Sequence, residues 1–367
     1  MSETDARKVR LGIVGLGNVA QEHMKGIAAS YRINLIAGAD LDGARCRKAE
    51  SDFGLRSYGS AEDMIAHEDL EGVLVLTPAR YHLPVVAIAA EARLPVLCEK
   101  PLASDLADAK AMIEIVEQNS ILFQFGASYR FLPAVQTARQ IIHSNGIGQV
   151  RSCLEHLIGG RGSASVEPLP LSHYPEGEPG GTPMGLVDHG VHLIDAFAWM
   201  TGQSIHSVYG CGNISGHAPR PESVMFTLGD GAIGHLFYDE GTVGLSLPGE
   251  GVFSAGGGWN VEGYVAPGGY DPYPCTLSIY GSTGALRIYP YANLLYHATL
   301  EGVTEIPLPK LPEPNHFRAQ AEAFADLIRN PVRPAVPDID AGLAAQRTVL
   351  AVYDSMKSKS LQTLDKV

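Results

Sequence analysis

The chain has 367 residues, which suits two domains better than a single core. Hydrophobic residues make up 45% and charged residues 18% of it, values typical of a folded globular protein and not of a disordered one. The formal net charge is -13 with no local basic cluster, which argues against a nucleic-acid partner. The sequence shows no signal-peptide core and no apolar run of about 18 residues, so we expect a soluble, cytoplasmic protein with no membrane partner.

The first third of the chain alternates short apolar runs with amphipathic helical patterns. Strands are predicted at Val9–Val14, Ile33–Ala39, Val73–Leu76, Val96–Cys98 and Ile121–Phe125. Helices are predicted at Ala20–Ser30, Gly43–Phe53, Leu83–Ala92 and Leu106–Asn119. This alternation predicts an α/β domain built on a doubly wound parallel sheet with right-handed crossovers.

Beyond about residue 130 the pattern changes to strand-like runs separated by glycine-bearing turns. The clearest runs are Val150–Ile158, Ser223–Leu228, Ala232–Tyr238, Thr276–Tyr280 and Ala285–Tyr289. They predict a second sheet that is mostly antiparallel. We therefore predict two domains, 1–130 and 131–367.

Three helices are predicted within the second half. The first is Pro183–Met200, with Thr182 as its N-cap and Gly202 just beyond its C-terminal end. Two more, at about Asn315–Arg329 and Ile339–Lys357, close the chain. We expect these last two to pack against one of the two domains instead of forming a third, and packing back on the first domain is one of the alternatives.

The segment Gly15-Leu16-Gly17-Asn18-Val19-Ala20 lies between the first predicted strand and the first predicted helix. In this context Gly15 permits a tight turn, Gly17 lets the backbone approach a pyrophosphate, and Ala20 permits close packing of helix on strand. We therefore assign Gly15, Gly17, Asn18 and Val19 to a dinucleotide site.

Asp40 ends the next predicted strand, twenty residues after Ala20. A carboxylate at this place can accept the ribose hydroxyls of NAD and would repel the 2′-phosphate of NADP. Arg45 is a helical turn away, so NAD is favoured and NADP stays possible. The alternative is that Asp40 only caps a helix.

Further candidates follow later strands, at the edge of the sheet where ligands bind in open α/β folds. Thr77 and Pro78 end one strand, and His82 either faces the same site or caps the next helix. Glu99-Lys100-Pro101 ends another strand, and the Lys100 ammonium can polarise an oxygen and stabilise an alkoxide. The Lys100–Pro101 bond is a candidate cis peptide.

Asp188 and His192 are four residues apart within the predicted helix, so they share a face, and Asp195 follows three residues later. A carboxylate beside an imidazole orients the ring and tunes its basicity near neutral pH. We expect no metal here, because the Lys100 amine would oppose a cation. His189 points elsewhere on the helix and is interpreted either as structural or as a support for the residues that contact the substrate.

Taken together, these segments resemble the Gfo/Idh/MocA family of glucose-fructose oxidoreductases and inositol dehydrogenases. The matching segments are Gly15 to Ala20, Thr77-Pro78, Glu99-Lys100-Pro101, Tyr129-Arg130-Phe131, Asp188-x-Gly190-x-His192 with Asp195, and the strand-turn-strand from Leu277 to Leu286. The resemblance implies an N-terminal Rossmann domain and a C-terminal α/β domain. The large, mostly antiparallel open sheet of that second domain would form the interface of a homo-oligomer, a dimer or a tetramer.

The resemblance also implies an NAD-dependent oxidoreductase acting on a secondary alcohol of a sugar, cyclitol or related polyol. In that chemistry His192 takes the hydroxyl proton, Asp188 assists the ring, and Lys100 stabilises the oxygen. Glu99, Lys100 and Arg130 join the cofactor site, and the substrate candidates are Tyr129, Arg130, His173, Tyr174, Asp188 and His192.

Two other functions stay open at this point. One is a redox-neutral enzyme that keeps NAD tightly bound and uses transient oxidation for elimination, epimerisation or glycoside cleavage. The other is a dinucleotide-sensing regulator without catalysis. The roles of two glycine- and proline-rich stretches, residues 172–181 and 255–274, are also open between solvent loops, oligomer contacts and substrate lids.

Overall fold

The computed structural model describes residues 8–159, 189–212, 222–239, 252–253, 276–309, 315–331 and 336–364. The chain forms two compact units. The described residues of the first lie within Met1–Phe131 and Leu311–Gln346, and those of the second lie within Leu132–Leu171, Glu176–Lys310 and Arg347–Val367. The segment Leu311–Gln346 lies in the first unit, although it comes after most of the second unit in the chain.

Six parallel strands form the sheet of the first unit, in the order 3-2-1-4-5-6. They are β1 Val9–Val14, β2 Ile33–Ala39, β3 Arg56–Tyr58, β4 Gly72–Val75, β5 Val96–Cys98 and β6 Phe123–Phe125. Three of them, β1, β2 and β5, have the predicted bounds, whereas β3 was not predicted because three residues carry too little pattern. The strand order reverses between β1 and β4, the place where doubly wound sheets bind dinucleotides.

Five helices connect these strands: α1 Asn18–Ala28, α2 Gly43–Phe53, α3 Ala61–His67, α4 His82–Glu91 and α5 Leu106–Asn119. Both α2 and α5 have the predicted bounds, and side-chain caps explain why. Asp42 accepts a hydrogen bond from the first turn of α2, and Asp105 does the same for α5. Helix α1 starts earlier than predicted because Gly17 forms its N-cap with extended backbone.

The parallel sheet is buried on both faces, which explains why its strands appear as nearly continuous apolar runs. Leu11 and Ile13 of β1 pack in one hydrophobic cluster. Val14 and Val75 pack in a second cluster. The first unit therefore has one core layer on each face of its sheet.

The second unit begins with α6 Pro133–His143 and β7 Val150–Gly159. The elements that follow are α7 Val191–Thr201, β8 Ile205–Cys211, β9 Glu222–Leu228, β10 Ile233–Asp239, β11 Val252–Phe253, β12 Leu277–Gly281, β13 Ala285–Tyr289, β14 Leu294–Thr299 and β15 Gly302–Glu305. All five predicted strands are confirmed to within one residue at each end. Five elements, α6, β8, β11, β14 and β15, were not predicted.

The chain ends with α8 Asn315–Arg329, α9 Ile339–Ser358 and β16 Gln362–Thr363. The two helices confirm the prediction, α8 at the same bounds. In the first unit α8 packs on α1, since a Cβ at Gly26 would lie 2.8 Å from the backbone nitrogen of Arg318. None of the helices in the described parts of the chain is long and apolar enough to span a membrane.

The described strands of the second unit form a ten-stranded sheet in the order 15-14-13-12-7-10-9-8-16, with β11 beside β7. Its pairings are antiparallel except those of β7 with β10 and β11. This confirms the predicted, mostly antiparallel second sheet.

One face of this sheet is covered by helices. The ring of Phe197 in α7 lies 6.2 Å from that of Phe226 in β9, and Gly210 in β8 lets Val352 of α9 approach closely. The opposite face carries large exposed apolar side chains, those of Tyr209, Met225, Ile233 and Tyr280.

The predicted helix Pro183–Met200 is described only from its C-terminal part. Helix α7 ends at Thr201, and Gly202 follows in the left-handed region with a φ of 71°, as predicted. Thr182, Pro183 and the glycine-rich stretches 172–181 and 255–274 lie outside the described residues.

Candidate functional site

The turn between β1 and α1 can only be made by glycine at its first position. Gly15 has a φ of +91°, and its N–H donates a 2.8 Å hydrogen bond to the carbonyl of Ala39. A Cβ at Gly15 would lie 2.8 Å from the backbone of Leu76 and Thr77. Gly15 therefore lets the turn pass close to the end of β4.

Gly17 is open where Gly15 is crowded. A Cβ at Gly17 would meet no heavy atom within 4 Å among the described residues. Asn18 is exposed and Val19 is half-buried, so the N-terminal turn of α1 faces open space. Backbone N–H groups at a helix N-terminus, beside a position without a side chain, fit a pyrophosphate.

Asp40 directly follows β2 and ties two loops together. Its Oδ2 accepts a 2.8 Å hydrogen bond from the Leu16 N–H, and its Oδ1 accepts one of 2.8 Å from the Asp42 N–H. The N-cap of α2 is Asp42, not Asp40. Arg45 Nη1 lies 3.6 Å from Asp40 Oδ2, so the arginine that follows one helical turn later lies beside the carboxylate.

Thr77 lies at the carboxyl end of β4 and has a buried hydroxyl. This Oγ1 has no hydrogen-bond partner among the described residues. A buried polar atom without a partner is uncommon in a folded protein, and a bound ligand can supply the missing bond. Pro78 follows at the start of a short 3₁₀ turn, Ala79–Tyr81.

His82 begins α4 and is fully buried. Its Nε2 lies 2.7 Å from the Thr77 carbonyl oxygen and its Nδ1 lies 3.2 Å from that of Leu102. Burial lowers the pKa of His82. The side chain joins the end of β4 to the segment after Lys100, and a direct contact with a cofactor stays a prediction.

Glu99, Lys100 and Pro101 follow β5, as the sequence predicts, and the Lys100–Pro101 peptide is cis. Glu99 is only 4% exposed, while Lys100 is half-buried. Glu99 Oε2 accepts a 2.9 Å hydrogen bond from the Lys100 backbone N–H. Glu99 Oε1 lies 3.1 Å from Nε2 of His23 in α1.

His23 was not among the site residues predicted from the sequence. It lies on the buried face of α1 with Ala20, Met24 and Ile27, and its side chain has no exposed surface. An imidazole on an otherwise apolar helix face was the available signal, but nothing in the sequence indicated that Glu99 would be its partner.

In the second unit, α7 is buried along nearly its whole length. His192 and Asp195 are each 4% exposed and lie on one face of this helix. Asp188 lies outside the described residues, so its pairing with His192 stays a prediction.

His189, interpreted from sequence as structural or as a support for the substrate-contacting residues, has a specific partner. Its Nε2 lies 3.0 Å from Oε1 of Glu155, a β7 residue that is 1% exposed. Glu155 was also missed, although it is a carboxylate at an inward-facing position of a strand. The pair anchors the turn before α7 to the sheet.

Of the remaining substrate candidates, two lie within the described residues and two lie outside them. Tyr129 is completely buried and Arg130 is half-buried, both in a 3₁₀ turn, Ser128–Phe131. His173 and Tyr174 lie outside the described residues. Among the residues that the structure describes, no group of three or more His, Cys, Asp or Glu side chains could hold a metal ion.

The strand order, the glycine turn and the carboxylate after β2 define a two-unit protein of the dinucleotide-binding class. The chain belongs to the Gfo/Idh/MocA family. The family model described as an oxidoreductase family with an NAD-binding Rossmann fold matches residues 9–127, and the Gfo/Idh/MocA C-terminal domain matches residues 135–287.

Similar proteins include two curated relatives. The rhizopine catabolism protein MocA of Rhizobium meliloti is 31% identical over 53% of this chain and 58% of its own length. An inositol 2-dehydrogenase of Corynebacterium glutamicum is 30% identical over 55% of this chain and 57% of its own length. The matches thus span little more than half the length of these relatives.

The fold is also similar to that of a solved structure along most of the chain. The scyllo-inositol dehydrogenase of Lactobacillus casei, solved with bound NAD(H) and scyllo-inositol, superposes with a TM-score of 0.72 at 21% identity. The match covers 97% of this chain and 99% of that one. At this identity the likeness concerns the fold alone.

Proposed function

We propose that this protein is an NAD-dependent oxidoreductase that oxidises a secondary alcohol of a sugar, cyclitol or related polyol, or reduces the corresponding ketone. The observation that carries the proposal is the glycine turn of the first unit, open at Gly17 and followed by Asp40 at the end of β2. Membership in an oxidoreductase family and a relative named inositol 2-dehydrogenase support the reaction class.

The residues of the first unit fit a dinucleotide. The N–H groups of Asn18 and Val19 would hold its pyrophosphate, Asp40 would accept its ribose hydroxyls, and the Thr77 hydroxyl would gain a partner. Pro78, His82, Glu99 and Arg130 complete the proposed cofactor set. When bound, NAD supplies the hydride acceptor, the nicotinamide C4.

Three side chains carry the proposed proton transfer. An imidazole nitrogen of His192 accepts the proton of the substrate hydroxyl, and the Asp188 carboxylate stabilises the resulting imidazolium. The Lys100 Nζ ammonium stabilises the negative charge that develops on the oxygen. Tyr129, Arg130, His173 and Tyr174 are proposed substrate contacts.

The test is a turnover assay with NAD and NADP in parallel against a panel of inositols, pentoses, hexoses and sugar phosphates. We expect NADH to accumulate with at least one polyol. Lys100→Ala and His192→Ala should each lower kcat by about 100-fold or more. The matched controls are Lys110→Ala and His206→Ala, two exposed residues, which should leave kcat unchanged.

Two results would contradict the proposal. If Lys100→Ala and His192→Ala turn over as fast as wild type while still binding NAD, the assigned roles are wrong. If nucleotide co-purifies with the protein and product forms without NADH, the enzyme is redox-neutral.

We also propose that two copies associate through the exposed face of the second sheet. Met225 and Ile233 on this face are 51% and 48% exposed in the single chain, an apolar surface of the kind that marks an interface. Met225→Glu with Ile233→Glu should lower the mass measured by light scattering to that of one chain. Tyr31→Glu, on an exposed residue of the first unit, should not.

A further inference from the structure

We propose that His23 is a positioning residue for Lys100 and acts through the Glu99 carboxylate. The inference rests on the proposed function, in which Lys100 contacts the reacting oxygen. His23 lies on α1, the helix whose N-terminus is proposed to hold the dinucleotide, and Glu99 precedes Lys100 in the chain.

Both carboxylate oxygens of Glu99 have a partner. Oε1 lies 3.1 Å from His23 Nε2, and Oε2 accepts the Lys100 N–H at 2.9 Å. The terminal torsion of a glutamate side chain has a broad energy profile, so the carboxylate plane is set by its partners. If the His23 contact at Oε1 is lost, the carboxylate can rotate, and Oε2 then no longer holds the Lys100 N–H in one place.

Other contacts fix the chain on both sides of Lys100. The Glu99 N–H donates to the Val75 carbonyl at 2.9 Å, and Gly126 packs so closely that a Cβ there would lie 2.7 Å from Glu99 Cα. After Lys100, the Leu102 carbonyl faces His82 at 3.2 Å. The Glu99 carboxylate thus holds the amide of Lys100 between two fixed segments.

The His23–Glu99 pair is buried. His23 has no exposed surface and Glu99 is 4% exposed. A buried carboxylate that loses its partner is strongly unfavourable and reorients towards any other donor. Water competes weakly for this hydrogen bond, so the imidazole can hold the carboxylate in a single orientation.

A packing role for His23 makes a different prediction. The Phe317 ring of α8 lies 4.5 Å from the His23 ring, so the imidazole also fills space in the core of the first unit. Phe317→Leu is therefore the matched control, because it loosens the packing on His23 and keeps the hydrogen bond to Glu99.

The experiment compares His23→Leu, His23→Gln and Phe317→Leu at a temperature below all their unfolding midpoints, with the polyol that wild type oxidises fastest. His23→Leu should lower kcat about 10- to 100-fold, the range expected for a displaced catalytic group, with KM for NAD changed less than about twofold. His23→Gln keeps an N–H donor and should recover most of kcat. Phe317→Leu should lower Tm and keep kcat.

Equal losses of kcat in His23→Leu and Phe317→Leu, or no recovery in His23→Gln, would overturn the proposal. If His23→Leu does not fold, the double variant His23→Leu/Glu99→Gln removes the unpaired charge. It is compared with Glu99→Gln alone, in which His23 can still hold the side-chain amide. The double variant should then show the lower kcat, and equal values would reject the role of His23.

A second measurement needs no substrate and separates this inference from the proposed function. Brief acetylation with acetic anhydride, followed by mass spectrometry, gives the labelling rate of Lys100 relative to the exposed Lys110. His23→Leu should change this ratio by about threefold or more, since a displaced amine changes its surroundings, and Phe317→Leu should not. An unchanged ratio in His23→Leu would reject the positioning role even if no polyol is oxidised.

Discussion

Gly15 and Gly17 belong to the same turn but are glycine for different reasons. Gly15 has a positive φ and no room for a Cβ, whereas Gly17 has open space beside it. Gly15→Ala would bring a Cβ against the backbone of β4 at a positive φ, so we expect the free energy of unfolding to fall by about 3 kcal/mol. Gly17→Ala has room and should keep Tm. It should raise the Kd for NADH about tenfold or more, because its methyl group takes pyrophosphate space.

These two variants are checked by thermal unfolding and by titration of NADH fluorescence. If Gly17→Ala binds NADH as tightly as wild type, the turn is not the pyrophosphate site.

Asp40 is expected to set the cofactor preference together with Arg45. In the wild-type chain Arg45 lies 3.6 Å from the Asp40 carboxylate. Asp40→Ser removes the negative charge that would repel a 2′-phosphate and leaves the Arg45 guanidinium able to bind that phosphate. The ratio of the Kd values for NADH and NADPH should shift towards NADPH by about tenfold or more.

Asp42→Ser is the matched control for Asp40→Ser. It also removes a carboxylate near Arg45, at 3.7 Å, but serine can keep the cap of α2. An equal shift of the Kd ratio in both variants would mean that the total negative charge near Arg45, and not Asp40 in particular, sets the preference for NADH over NADPH.

His316 links stability to pH in the first unit. Burial, together with His23, lowers the pKa of His316 from 6.5 to about 3. Between pH 6.5 and 3 the imidazole binds a proton in the unfolded chain but not in the folded chain. The contribution of His316 to the free energy of unfolding is therefore fully present above about pH 6.5 and is lost as the pH falls. The expected slope from this residue is about 1.4 kcal/mol per pH unit.

His316→Phe should flatten this dependence in urea unfolding measured between pH 6.5 and 4. The exposed His67, replaced in the same way, is the control. The same slope in wild type and His316→Phe would show that burial of this imidazole does not govern the acid response.

At the scale of elements, the contact between α1 and α8 depends on a missing side chain. Glycine within a helix normally costs about 1 kcal/mol relative to alanine, yet a Cβ at Gly26 would lie 2.8 Å from the Arg318 backbone nitrogen. Gly26→Ala should therefore lower Tm. Gly43→Ala in the first turn of α2, where only the end of the Arg47 side chain is near, should raise Tm or leave it unchanged.

A higher Tm in Gly26→Ala would show that α8 does not pack on α1.

Two other elements show where the local sequence pattern did not predict the structure. The bulge between Ile205 and Ser207 breaks the two-residue alternation of β8, so its pattern did not indicate a strand. Helix α6 carried a usable signal that we missed, a proline at its first turn.

At the scale of the whole molecule, a ligand that binds only the folded chain raises its stability by mass action. NADH at 100 times its Kd should add about 2.7 kcal/mol, which corresponds to a Tm rise of roughly 5 to 10 °C for a domain of this size. In Gly17→Ala at the same NADH concentration, a tenfold higher Kd would leave about 1.4 kcal/mol, so the rise should fall to about half or less. Equal rises in both proteins would place nucleotide binding elsewhere in the chain.

The sequence alone determined the features that depend on neighbours a few residues apart. Helices α2, α5 and α8 have the predicted bounds because caps and periodicity act within one or two turns. The glycine turn and Asp40 were identified for the same reason, since the β1-α1-β2 unit fixes their spacing.

The tertiary structure decided which distant residues meet. His23 and Glu99 are 76 positions apart, and Glu155 and His189 are 34 apart. It also assigned the segment Leu311–Gln346 to the first unit. Periodicity shows that a residue is buried and on which face, but not its partner. The partner depends on which strand ends and helices pack side by side, and that is settled only when the whole core is formed.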